Sequence, residues 1–264
     1  MHSAECVAGD SYRRVRVIKK RAAKRRRRRR ILNFFLMFFS VCILAVFASM
    51  VREQVVRQKL AEVPEELASL YERNPDARSF VLDYKEKHNK KPRIDLSKYA
   101  DINTVPLLMQ WDERWGYKKY SEQYFGLSGC GPTCMSMAYI YLTKDTRKNP
   151  DYMRKFATKN GFSTDGSGTA WAFITKGGEK LGLDVTELPL DKSIIDRKLV
   201  SGNVVICIMG PGKFTTGGHF IVIAGIENGK YRINDPNSYT NSNKLWEYDE
   251  ISDQIKNLWS LSAR

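Results

Sequence analysis

The chain has 264 residues, 44 Lys/Arg against 29 Asp/Glu, and a formal net charge of +15. Taken whole, that balance suggests a nucleic-acid binder, but residues 1–30 hold 13 Lys/Arg and 2 Asp/Glu while residues 31–264 hold 31 and 27. The body is therefore near-neutral, which excludes a polyanion-binding surface spread over it and leaves nucleic acid out of the expected partners.

Residues 1–30 end in Lys24 and six consecutive arginines, Arg25 to Arg30. Such a run repels itself and reads as a solvated basic tail. Ile31 to Met50 then carries no charge. Twenty residues of helix span about 30 Å, the thickness of a bilayer's hydrocarbon. The arginines precede this run, so the positive-inside rule puts residues 1–30 in the cytosol, against anionic lipids, and everything after Met50 outside. A secretory signal cleaved after Val46-Phe47-Ala48 is the competing reading. The uncharged run exceeds the ~7–15 residues of a signal core, which favours an uncleaved signal-anchor over residues 31–50.

Residues 51–103 are charged and read as helical. Val55, Leu60, Val63, Leu67 and Leu70 form a rough amphipathic stripe. Pro64 followed by Glu65 and Glu66 marks a helix start, and Pro75-Asp76 begins a second short helix carrying Phe80, Val81 and Tyr84. Lys85 to Lys91 reads as a polar loop. The expectation is a solvated stalk.

A globular domain is expected over residues 104–264. Val105 to Gln110 reads as a short edge strand because of Pro106. Gly129-Cys130-Gly131-Pro132-Thr133-Cys134 then leads into the apolar run Met135 to Leu142. This is a glycine turn feeding a buried helix, with Pro132 in its first turn. Residues 150–160 and 169–181 read as two further helices. Strands crowd the C-terminal half: 203–209, 219–224 and 230–234. Glu227-Asn228-Gly229 marks a turn that makes the last two a hairpin. Helices packed on a C-terminal antiparallel sheet give an α+β domain.

Cys130 sits at the positive end of a helix dipole, which favours the nucleophilic thiolate. A small buried structural cysteine, and a redox pair with Cys134, are the alternatives. Besides Cys6 and Cys42, the cysteines are Cys130, Cys134 and Cys207. An odd number outside the cell implies at least one free thiol, and a Cys134–Cys207 bridge would leave Cys130 as that thiol.

A thiolate nucleophile needs a base. His2 lies in the tail and His88 in the expected stalk, so His219, opening a strand after Gly217-Gly218, is the candidate. Asp235, at the end of the neighbouring strand, would orient it, although Asp before Pro also starts turns. The Cys130 N–H and the Gln110 amide are candidate oxyanion donors. No His-Glu-X-X-His or paired Cys/His spacing occurs, so no metal or cofactor is expected.

Gln110, then Cys130 in Gly-Cys-Gly-Pro-Thr, His219 in Gly-Gly-His-Phe and Asp235 in Asp-Pro-Asn-Ser follow an order that resembles the double-glycine, or bacteriocin-processing, cysteine peptidases. The likeness is to their stand-alone peptidase-like branch in Gram-positive bacteria. Residues 105–117, 168–171 and 212–220 carry it too, as does Asn74 to Tyr84. The resemblance implies a papain-like fold with Cys130 as nucleophile, His219 as general base and acid, Asp235 as its orienter and Gln110 in the oxyanion hole. The expected substrate is a peptide or protein. Leader-cleaving members sit on ABC transporters in the cytosol. Here there is no Walker-type motif and the domain is expected outside, so the substrate stays open. A peptidoglycan stem-peptide amidase or endopeptidase and a non-catalytic surface binding protein are the alternative functions.

Overall fold

Between Asp10 and Val63 the sequence has no glycine or proline, and helix propensity is uninterrupted. One helix, α1 (Ala4–Leu60), accordingly runs through both the arginine run and the apolar run. The computed structural model describes residues 4–164, Gly166 and residues 168–264. Residues 1–3 of the expected tail, with His2, lie outside them, as does the Cys6 side chain. The chain forms two compact units, residues 1–58 and 59–264. In the first, the apolar side chains from Leu32 to Val55 are exposed, Phe39 at 64% and Leu44 at 66%. The segment Lys24–Leu60 is long and apolar enough to cross a membrane, by length and composition.

The second unit begins with α2 (Glu65–Arg73), which carries Glu65 and Glu66 in its first turn as the dipole favours. A 3₁₀ turn over Pro75–Ala77 follows, capped by Asn74, whose Oδ1 accepts the Asp76 N–H at 3.0 Å. Then come α3 (Arg78–Leu82) and α4 (Tyr84–Lys87), the latter a helical turn where a loop was expected. These elements are not a solvated stalk. Leu67, Leu70, Ala77, Phe80 and Val81 are buried in one cluster with Met109, Trp111 and Tyr117. The Phe80 and Tyr117 rings stack at 4.2 Å, and the Tyr117 hydroxyl donates to the Phe80 carbonyl at 2.6 Å. Burial of aromatic area outweighs the charged composition here, so the packed unit begins at Lys59 rather than near residue 104.

Residues 105–109 form no regular element, Gln110 begins a turn, and none of them joins a sheet. Side chains replace the expected strand ladder. Asn234 Nδ2 donates to the Val105 and Pro106 carbonyls at 3.0 and 3.2 Å, and the Gln110 N–H donates to the Pro236 carbonyl at 2.8 Å. The hairpin β1 (Lys119–Tyr120) and β2 (Gln123–Tyr124) and the turn α5 (Phe125–Ser128) then lead to α6 (Cys130–Thr143), whose body is buried. Next is α7 (Pro150–Lys159), with Pro150 in its first turn and Asn149 capping it. The helix expected over residues 169–181 is broken. Gly168 and Thr169 form β4, paired with β3 (Ser163–Thr164), before a π turn over Phe173–Gly177 and the short α8 (Gly178–Lys180). A Cβ at Gly178 would meet Val185 at 2.7 Å, so glycine is needed where this turn presses on the sheet.

The remaining elements are β5 (Leu183–Glu187), α9 (Lys192–Val200), β6 (Val204–Met209), β7 (His219–Glu227), β8 (Lys230–Asn234), α10 (Tyr239–Ser242), β9 (Leu245–Trp246) and β10 (Ile255–Ala263). Six of the strands make one antiparallel sheet in the order β5-β10-β6-β7-β8-β9. The expected hairpin is β7–β8, turning through Asn228 and Gly229, both at positive φ. Strand β6 is buried along its length. By the period of two, Val204, Ile206 and Ile208 enter the core shared with α6, while Val205, Cys207 and Met209 enter the core on the opposite face. The α+β architecture, helices against a C-terminal antiparallel sheet, is as expected.

Candidate active site

The first turn of α6 brings Cys130 to the floor of a cleft of about 840 Å³, which is also lined by Gln110, His219 and Asp235. All four residues singled out from the sequence therefore meet in one place. Gly129 precedes the helix without a side-chain cap, leaving the first backbone N–H groups free of helical acceptors. Gly131 is required by close approach: a Cβ there would meet the Thr169 side chain at 2.9 Å. The β3–β4 hairpin can thus pack directly on the helix start, where the Tyr120 and Thr169 hydroxyls lie 2.8 Å apart.

His219 is paired with Met209 at the mouth of β7, and Asn234 with Val222 at the end of β8. This register leaves Asp235 one step beyond the ladder, on the His219 side. His219 Nε2 donates to Asp235 Oδ1 at 2.7 Å, with both residues buried. A carboxylate only accepts, so Nε2 carries the proton and Nδ1 is the ring nitrogen left for Cys130, which lines the same cleft.

The electrostatics follow from that chain. Burial pushes the Cys130 thiol up, but the hydrogen bond and charge of His219, with the Phe220 and Gly131 N–H groups, hold it below its ordinary value. Burial pushes His219 down, yet the Asp235 charge and hydrogen bond, then Cys130, raise it to about 10. Such a pair can hold a thiolate beside an imidazolium, the reactive form of a cysteine nucleophile.

Gln110 is buried, with Nε2 donating to the Gly126 carbonyl at 2.9 Å and Oε1 buried without a partner. Its second Nε2 hydrogen and the Cys130 N–H are the candidate donors for an oxyanion. Cys134 and Cys207 are free thiols. They belong to the cores on opposite faces of the sheet, so no bridge joins them. Burial raises both well above the ordinary thiol value, which leaves them inert.

Several groups at the site escape sequence reasoning. Asn241 Nδ2 donates to Asp235 Oδ2 at 2.8 Å, the Asn237 N–H donates to Asp235 Oδ1 at 2.8 Å, and the Asp235 N–H donates to Ser242 Oγ at 2.9 Å. The clustering of Asn and Ser after Asp-Pro was a signal for a turn, not for these bonds. Among the described residues, no cluster of three or more His, Cys, Asp or Glu side chains could hold a metal ion.

Residues 102–263 match the Peptidase_C39 like family. Among solved structures, the chain is similar to the peptidase domain of Streptococcus ComA, a bi-functional ABC transporter involved in a quorum sensing pathway. That likeness has 19% identity and a TM-score of 0.42, and it covers 61% of this chain and 99% of that one. A protein described as a C39-like peptidase, from Bacillus anthracis, is 14% identical over 66% of this chain and 98% of its own, with a TM-score of 0.40. No curated protein matches the chain.

Proposed function

The chain belongs to the Peptidase_C39 like family, and from that premise we propose that it is a cysteine peptidase acting through Cys130, His219, Asp235 and Gln110. The observation that carries this reading is the buried bond that holds one nitrogen of His219 to Asp235 in the cleft that Cys130 also lines, at a helix start.

The Cys130 thiolate attacks the carbonyl carbon of the scissile peptide bond, forming a C–S bond and moving the π pair onto oxygen. The Cys130 N–H and the Gln110 amide stabilise that oxyanion. Collapse breaks the C–N bond, and the His219 imidazolium gives its Nδ1 proton to the leaving amine. Water then attacks the thioester, and His219 accepts the water proton. The C–S bond breaks, releasing the carboxylic acid and restoring the thiolate.

The same reading makes residues 31–50 an uncleaved membrane anchor. The arginine tail is cytosolic against anionic lipids, and the peptidase unit is extracellular. An apolar helix with exposed side chains beside Arg25 to Arg30 supports it.

The test uses the full chain in detergent. Iodoacetamide labelling is mapped by mass spectrometry between pH 4 and 9, with His219→Ala as control. Rapid labelling of Cys130 well below the ~8.5 of a free thiol, slowed in the variant, is expected. Turnover of an unstructured polypeptide should vanish in Cys130→Ala and persist in Cys134→Ala. A Cys130 that labels like a free thiol overturns the proposal. Release from purified cell walls without polypeptide turnover would reassign the substrate.

A further inference from the structure

The loop that carries Asp235 is held from outside the region that matches the family, which begins at residue 102. Asn74, at the C-terminus of α2, is 8% exposed. Its Nδ2 donates to the Asn237 carbonyl at 2.8 Å and to Asn237 Oδ1 at 3.0 Å. Trp111 Nε1 donates to the same carbonyl at 3.1 Å. Two residues on, Asp76 Oδ2 accepts from Ser238 Oγ and from the Thr240 N–H, both at 3.2 Å. Asn237 and Ser238 are the residues that shape the acid's surroundings. The Asn237 N–H donates to Asp235 Oδ1, and Ser238 Oγ caps α10, which presents Asn241 to Asp235 Oδ2.

We propose that Asn74 and Asp76 are positioning residues for the active site: they clamp the Asp235–Asn241 loop and so fix the carboxylate that orients His219. The inference rests on the catalytic reading of Cys130, His219 and Asp235 given above. A merely structural α2 needs its apolar face, Leu67 and Leu70, buried against Trp111 and Tyr117. It does not need a buried amide spent on the loop beyond Asp235. Leaving that amide without its partners would cost free energy, so its placement constrains the loop as much as the loop constrains it. Leu70, Arg73, Asn74, Pro75 and Asp76 also line the cleft itself. The segment expected from sequence to be a stalk is thus one wall of the site and the support of its acid.

Loosening the clamp should let Asp235 drift from Nε2. The imidazolium then loses stabilisation, and the thiolate beside it forms only at higher pH. The titrating groups of this relay are Cys130, His219 and Asp235, and Arg73, Asp76 and Lys213 line the same cleft as charged groups. Tyr120 and Cys134 also face Cys130, and burial keeps both neutral across the range.

The experiment is the pH dependence of Cys130 alkylation by iodoacetamide in the full chain, which needs no substrate. It compares wild type, Asn74→Ala, Asp76→Asn and His219→Ala, each checked for a cooperative thermal transition. Asn74→Ala is expected to move the acid limb upward by about half a pH unit or more, with Asp76→Asn moving it the same way. His219→Ala should remove the depressed limb altogether. Should Asn74→Ala fail to fold, Asp76→Asn alone decides. Folded clamp variants with a wild-type limb, while His219→Ala loses it, overturn the clamp and leave the peptidase reading standing. A limb unchanged in His219→Ala overturns the peptidase reading itself.

Discussion

His219 Nε2 donates to Asp235 Oδ1 at 2.7 Å, with His219 6% and Asp235 1% exposed. This bond decides which face of the imidazole is available for chemistry. It pins the proton on Nε2, leaves Nδ1 as the nitrogen for Cys130, and has its charge shielded from water.

Asp235→Asn is the most direct probe of that pair. An asparagine can present its amide N–H to Nε2, which puts the ring proton on Nδ1 and blocks proton transfer from Cys130. Turnover should fall by about 10²–10⁴-fold, the usual worth of a positioned acid–base. The cooperative thermal transition should persist, because the loop keeps the bonds from Gln110, Trp111 and Asn74. Steady-state rates beside a melting curve check this. Near-normal turnover in Asp235→Asn would remove Asp235 from the mechanism.

Activity should follow a bell in pH. The active form is the thiolate–imidazolium pair. Turnover rises as pH climbs through the depressed Cys130 value and falls as pH passes the raised His219 value of about 10. A plateau spanning neutral pH is therefore expected in kcat/KM. An acid limb near the ~8.5 of an unperturbed thiol would mean that the pair does not form.

What could be read from the sequence was local. The turn at Asn228-Gly229 makes the β7–β8 hairpin, which brings Asp235 to His219 across only 16 residues of chain, although the one-residue register shift between Ile223 and Gly225 on the way had no signal in the sequence. The α6 start was legible for the same reason, since glycine and proline choices act within one turn. Residues 105–110 read as a strand because local pattern cannot show that the partners are the Asn234 side chain and the Pro236 carbonyl. The stalk reading failed more deeply. Asn74 and Asn237 are 163 residues apart, and charged composition over residues 51–103 hid the few aromatic and aliphatic side chains that do the packing.

Gln110→Met separates oxyanion stabilisation from structure. Methionine keeps the volume and removes both the Nε2 donor and the unpartnered Oε1. It leaves the Gly126 carbonyl without its donor in exchange, so thermal stability should change little. The rate constant for turnover should drop by about 10²–10³-fold, as for loss of one oxyanion donor. Cys130 alkylation, which develops no oxyanion, should be unaffected. Equal losses in both assays would make Gln110 a structural residue.

Phe80→Ala tests whether residues 59–101 belong to the folded unit. The Phe80 ring is 5% exposed, stacks on Tyr117, and lies so near Gly116 that a Cβ there would meet it at 2.7 Å. Truncation should cost about 3–5 kcal/mol, the usual range for a buried phenylalanine. In a unit of this size that lowers Tm by roughly 10 °C. The measurement is thermal unfolding of the full chain, followed by exposure of the buried Cys134 and Cys207 to a thiol probe. A solvated stalk would leave that transition unmoved, because nothing in the catalytic half would then lean on Phe80. A lowered Tm would show that the segment leading out of α1 and the half that carries the site unfold as one.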